Sequence, residues 1–223
     1  LLRTTKHRVF LLRLIEKLSL HYVLDICLLN ALDYGVPQDR ERIFIIGFQR
    51  SWLKKNYDPF SIKKIETASA FIFEMSRLTT RNFFKSMEHW FPWPEDETFK
   101  GAKKRFQWPK DSVPEGQTPK EPDCPAALMA GTYICDKRRL LLKNSKEGFK
   151  PKSKKFHQIL EGDVSKKSFK RLHRYRYSPA AAYGNNEVHL HPTKPRRLTV
   201  REAMMLQSVP NEYFLPTNMT LTD

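Results

Sequence analysis

The stretch "ALDYGVPQDRERIFIIGF", Ala31 to Phe48, joins a turn, a knot of charge and an apolar run. Tyr34-Gly35-Val36-Pro37 has turn chemistry, a glycine free in φ followed by a proline that fixes its own. In an extended chain the side chains alternate between faces, so Gln38, Arg40 and Arg42 share one face and Asp39 and Glu41 the other. The pleat thus sorts charges that look mixed in the sequence. Beyond them "IFIIGF" from Ile43 reads as a buried strand, and on the other side so does "YVLDICLL" from Tyr22 to Leu29. Leu11, Leu14, Ile15 and Leu18, spaced i, i+3, i+4 and i+7, predict an amphipathic helix over residues 6–20. Helix, strand, turn and strand together predict the edge of an α/β sheet.

The chain has 223 residues, 40% of them hydrophobic, enough for one good core and a smaller satellite domain. No apolar run approaches the roughly 20 residues that span a bilayer, and the first twenty residues carry charge through their apolar part, unlike a secretory signal. The expectation is a soluble cytoplasmic chain that uses no membrane. Cys27, Cys124 and Cys135 have no zinc spacing and cannot all pair, which points to a reducing compartment and away from a disulfide framework. The chain begins on Leu and stops at "NMTLTD", and both ends read as cut.

Net charge is +16, with a sequence pI near 9.8, so a polyanion is the first partner to consider. Residues 131–180 hold 15 Lys or Arg against 4 Asp or Glu. Within them "CDKRRLLLKNSKEGFKPKSKKF" and "KKSFKRLHRYRY" interleave cations with aromatics, the composition of a phosphate-contacting surface. The candidates for nucleic-acid contact are Lys137, Arg138, Arg139, Lys154, Lys155, Arg171, Arg174 and Arg176, with Ser178 beside them.

From Ser51 to Tyr177 periodicity is weak outside a predicted helix over Thr67 to Met75, and seven prolines fall between Pro92 and Pro125. This reads as a loop-rich insert with short strands, too aromatic at "HWFPWP" and "RFQWP" to be plain disorder. Further on, Thr199 and Glu202 make a Thr-x-x-Glu capping box at the start of a short helix that Pro210 terminates. His189 and His191 alternate along "EVHLHP" but lack companions for a metal site, so they read as ordinary surface histidines. "YGNN" reads as a turn, not a phosphate loop.

"NALDYGVPQDRERIFIIGF", a long basic insert and then "RRLTVREAMMLQSVP" together resemble the DNA (cytosine-5) methyltransferase family. The first block is similar to its eighth motif and the second to its ninth, with the family's target recognition domain between them. "RYSPAAAYGNNEVHLHP" resembles the exit from that domain in bacterial members. The resemblance implies an α/β fold class: the edge of a Rossmann-like, S-adenosylmethionine-dependent methyltransferase sheet, plus a loop-rich, mostly β recognition domain. The implied divisions are 1–50 for the end of the catalytic domain, 51–177 for recognition, and 178–223 for the return segment with the ninth-motif helix.

The implied chemistry gives the opening motif its purpose. Enzymes of this family flip a cytosine from the duplex, attack ring carbon 6 with a cysteine thiolate and methylate carbon 5 from S-adenosylmethionine. Negative charge builds on the ring, and a guanidinium, permanently protonated and rigid, suits the ring carbonyl. By resemblance Arg42 takes that place, Gln38 and Arg40 support the wall, and Arg197, Arg201 and Glu202 brace the insert. The family's Pro-Cys nucleophile, Glu-Asn-Val motif and glycine loop precede the eighth motif and do not occur here; Cys124, in "DCPA", sits in the wrong context. The implied partners are double-stranded DNA and the N-terminal half of the enzyme, as the same or a separate chain. The implied setting is a bacterial restriction-modification system. No residue of this chain is assigned to the cofactor, and this chain alone is expected not to methylate. The alternative is a non-catalytic DNA-binding specificity module or truncated remnant.

Overall fold

The computed structural model describes residues 5–76, 84, 88–136, 141–146, 148, 157–166, 168–180 and 188–216. In chain order its elements are α1 (Thr5–Ser19), β1 (Tyr22–Asn30), β2 (Gln38–Asp39), β3 (Glu41–Gln49), α2 (Arg50–Asn56), α3 (Pro59–Ser76), α4 (Ala102–Arg105), α5 (Ala130–Ile134), β4 (Phe169–Arg171), β5 (Ser178–Pro179), β6 (Val188–Leu190) and α6 (Val200–Met205). Short 3-10 turns lie at Ala31–Tyr34 and Ala126–Leu128. Two compact units result, Leu1–Leu29 with Glu41–Pro94 and Asn30–Arg40 with Glu95–Asp223, a grouping that differs from a division at residues 50 and 177.

In the first unit β1 and β3 pair in a two-stranded sheet. They run antiparallel: Arg50 N donates to the His21 carbonyl at one end, and a Cβ on Gly47 would meet Leu24 at 2.9 Å further along. Glycine is what lets the strands approach there. Leu11 and Ile15 of α1 bury against Leu24, Ile26 and Ile72, with Leu18, Ile43 and Ile45 packed around them. Leu14, expected on that stripe, is 43% exposed, so the buried face is narrower than the spacing predicts.

Helix α3 begins eight residues before the predicted Thr67. Asp58 Oδ1 accepts from the N–H groups of Phe60 and Ser61, and Pro59 takes the first helical position, where its missing N–H costs nothing. Arg50 of α2 pairs with Glu66 of α3 at 2.8 Å. The aromatic "HWFPWP" segment is ordered against β1. Buried Asp25 accepts from Trp90 N and Phe91 N and pairs with His89 Nδ1, while the Trp90 indole donates to the Leu24 carbonyl at 2.7 Å.

The second unit contains little regular structure among its described residues. β2 pairs with β5 in parallel, Gln38 opposite Ser178 and Asp39 opposite Pro179, and β4 pairs with β6 in parallel. The described strands of this unit are two or three residues long and its helices four to six, while the insert expected to be mostly β, residues 51–177, also takes in the eighteen-residue α3 of the first unit. Leu172, Leu198 and Leu206 bury with Ala130 and Ile134, and Leu32 buries with Ala102 and Leu128 beneath Phe99, Trp108 and Tyr177. Helix α6 has the predicted capping box, Thr199 with Glu202, and ends at Met205, ahead of Pro210.

Candidate active-site wall and nucleic-acid interface

The wall motif starts from the 3-10 turn that Asn30 caps and Gly35 ends. Gly35 has φ 79°, and a Cβ there would also meet the Phe99 ring at 2.8 Å, so conformation and space both favour glycine. Ala31 N donates to the Arg40 carbonyl at 3.1 Å and closes the excursion. The three residues expected on one face fall into different surroundings, because Arg40 interrupts the strand between β2 and β3. Gln38 is fully buried in the second unit, Arg40 is half-buried there, and Arg42 is exposed on β3 of the first unit. The Arg42 Nη1 donates to the Glu41 carbonyl at 2.7 Å. Neither the Gln38 amide nitrogen nor its oxygen has a hydrogen-bond partner among the described residues.

The basic residues differ just as sharply. Arg171 is 5% exposed and donates to the carbonyls of Ile159, His191 and Lys194, at 2.6, 2.7 and 2.7 Å. A guanidinium so placed closes main chain and is not a surface cation. Arg174 makes a forked pair with Glu161, Nε and Nη2 lying 2.9 and 2.8 Å from its two oxygens. Burial works to raise the Glu161 carboxyl, but the Arg174 hydrogen bonds outweigh it and hold the group below its ordinary value. Arg176 donates to the Pro109 carbonyl at 3.2 Å, and its guanidinium carbon stands 5.1 Å from the Tyr177 ring centre. Ser178 is fully buried, its N–H donating to the Pro37 carbonyl and its hydroxyl to that of Pro179. Lys137, Arg138, Arg139, Lys154 and Lys155 lie outside the described residues.

Around α6, Arg201 is 1% exposed and donates to the carbonyls of Lys143, Pro210 and Tyr213 at 2.8, 3.3 and 2.6 Å. Glu202 accepts from the Thr199 N–H and from both Arg196 Nη groups, at 2.8 and 2.7 Å. Burial works to raise its carboxyl, and the Arg196 bonds prevail and lower it. Arg197 is half-buried, and burial lowers its guanidinium from the usual value. His189 and His191 are buried at 3% and 1%, not on the surface as their sequence context suggests. Burial pushes His189 down to about 4, and His191 follows in the same direction for the same reason.

Asn30, Arg196 and Glu161 carry much of this geometry and stood outside the sequence-predicted set. Glu161 had a signal, as one of only four acids among the fifteen cations of residues 131–180. Cys124 lies 3.7 Å from the Gln107 carbonyl, and burial raises its thiol, the opposite of what a thiolate nucleophile needs. Among the described residues no cluster of His, Cys, Asp and Glu could hold a metal ion, and no helix is long and apolar enough to cross a membrane.

The chain belongs to the C-5 cytosine-specific DNA methylase family, whose pattern matches residues 1–222. It is 38% identical over 227 aligned positions to the Type II methyltransferase M.NmeDI of Neisseria meningitidis serogroup C, covering 100% of this chain and 46% of that protein. Shorter matches, 46% identical over 48 residues and 48% over 46, join it to the Type II methyltransferases M.AplI of Arthrospira platensis and M.FnuDI of Fusobacterium nucleatum. They cover 21% and 20% of this chain and 14% and 13% of those proteins, so the chain spans less than half the length of each relative.

Proposed function

We propose that this chain is the C-terminal, DNA-reading part of a bacterial DNA (cytosine-5-)-methyltransferase of a restriction-modification system. The observation that carries the reading is the family match across residues 1–222, together with an exposed Arg42 at the start of β3. In the complete enzyme a cysteine thiolate from outside these residues adds to carbon 6 of a flipped cytosine. None of Cys27, Cys124 and Cys135 follows a proline, which supports placing the nucleophile elsewhere. As the thiolate adds, the electron pair of the ring double bond moves toward the ring carbonyl. The Arg42 guanidinium, which keeps its protons at any working pH, donates to that oxygen and stabilises the charge. Arg40 sits near it in sequence, and with Gln38 it supports the wall.

S-adenosylmethionine supplies the methyl group when bound. The resemblance places the family's cofactor-binding glycine loop ahead of the eighth motif, and no residue of this chain is assigned to the cofactor. Residues 51–177 form the target recognition domain, the return helix follows, and the enzyme works on double-stranded DNA in the bacterial cytoplasm. Lys137, Arg138, Arg139, Lys154 and Lys155 supply phosphate contacts, with Arg174 and Arg176 contributing where their internal bonds leave donors over. Arg171 and Ser178, from the same predicted set, instead hold the main chain.

Bisulfite sequencing of DNA from cells expressing the complete gene tests this reading. Protection of cytosines in one fixed sequence context is expected. Uniform conversion at every context would rule out the methyltransferase assignment.

A further inference from the structure

Asn30 has three side-chain hydrogen bonds, and they converge on the segment that carries Arg40. Its Oδ1 accepts from the N–H groups of Leu32 and Arg40, both at 3.1 Å, and its Nδ2 donates to Asp39 Oδ1 at 2.7 Å. The Leu32 bond is an ordinary helix cap for the 3-10 turn at Ala31–Tyr34. The other two reach nine and ten residues ahead, which a cap does not require. Arg40 is the one residue between β2 and β3 that belongs to neither strand, so its N–H has no ladder partner. Asn30 supplies that partner. Asp39, gripped on one oxygen by Asn30, pairs on the other with Lys103 of α4 at 2.6 Å. Asp33 Oδ1 accepts from Ala102 N at 3.2 Å and ties the same turn to the same helix.

We infer that Asn30 is a positioning residue for the arginine wall: by holding the Arg40 N–H and the Asp39 carboxylate together it fixes the main chain through which the motif leaves the turn. The inference rests on the methyltransferase reading for its effect on catalysis, but not for its geometry. An amide is required because the site needs an acceptor and a donor on one short side chain. Aspartate keeps the acceptor, loses the donor and sets a second carboxylate against Asp39, where like charges repel. The pair can be exchanged, however. In the double variant Asn30→Asp with Asp39→Asn, the amide now at position 39 donates to the carboxylate now at position 30, which still accepts from Leu32 and Arg40.

In the complete enzyme Asn30→Asp should lower kcat by about 10- to 100-fold, the usual consequence of misplacing a catalytic group by an ångström or less, with DNA Kd changed by less than about twofold. The Asn30→Asp, Asp39→Asn double variant should recover most of that loss. A kcat at the wild-type level in Asn30→Asp, or a double variant no faster than the single, overturns the inference. Amide hydrogen exchange on this chain separates it from the methyltransferase reading. Even if the complete wild-type enzyme transfers no methyl group, exchange at Leu32 and Arg40 should be faster in Asn30→Ala, and unchanged exchange there overturns the positioning role.

Discussion

In the unit formed by residues 1–29 and 41–94 the fully buried side chains are chiefly aliphatic, Ile15, Leu24, Ile26, Leu53 and Ile72, with the Asp25 carboxyl buried as well. In the unit formed by residues 30–40 and 95–223 leucines such as Leu32, Leu128, Leu172 and Leu198 are buried as well, but beside them lie Arg201, Arg171, Glu202, His189, His191, Ser178 and Gln38. Helices and paired strands close their own backbone hydrogen bonds, so the first unit can afford an apolar core. An irregular chain leaves carbonyls that need donors, and a guanidinium offers five on one planar fork. Arg171 and Arg201 each satisfy three carbonyls from distant points of the chain. Arginine does in the second unit what a ladder does in the first.

The largest effect expected from this contrast is at Arg201. Arg201→Ala strands the carbonyls of Lys143, Pro210 and Tyr213 and opens a cavity, and should cost the second unit about 3 to 5 kcal/mol by denaturant unfolding. A loss under about 1 kcal/mol, the level of an ordinary surface pair, would break the comparison.

A smaller effect should appear on acidification. Glu161 and Glu202 have lowered carboxyls, so the stability they contribute is present above the ordinary carboxylate range and drains as pH falls through it. His189 and His191 are held neutral by burial, while the unfolded chain takes up protons below about 6.5, so they remove stability in the same direction. Between about pH 6.5 and 4 the segment 188–206 should lose amide protection, corrected for intrinsic exchange, before α1 and β1 do. Simultaneous loss in both units would remove the distinction.

The same contrast decides what was legible in the sequence. α1 announces itself by apolar residues at helical spacing and β1 and β3 by continuous apolar runs, whereas α3 starts eight residues ahead of the predicted Thr67 although Asp58-Pro59 marks the place. The wall motif yielded to period two only in part. Its alternation assumes one continuous strand, whereas the strand breaks at Arg40, whose N–H bonds to Asn30, ten residues back. The arginines of the second unit are the hardest case. In a basic run Arg171 looks the same whether it contacts a phosphate or a carbonyl, and its partners lie 12 to 23 residues away. His189 and His191 likewise read as surface residues, since nothing nearby in sequence marks the strand pairing that buries them.

The role proposed for Arg42, exposed at the start of β3, is to stabilise charge on a cytosine ring. Single-turnover methyl transfer by the complete enzyme carrying Arg42→Ala tests it most directly. The rate should fall by about 100-fold or more, the effect of losing one oxyanion donor, with DNA affinity nearly unchanged. Transfer at close to the wild-type rate would contradict it.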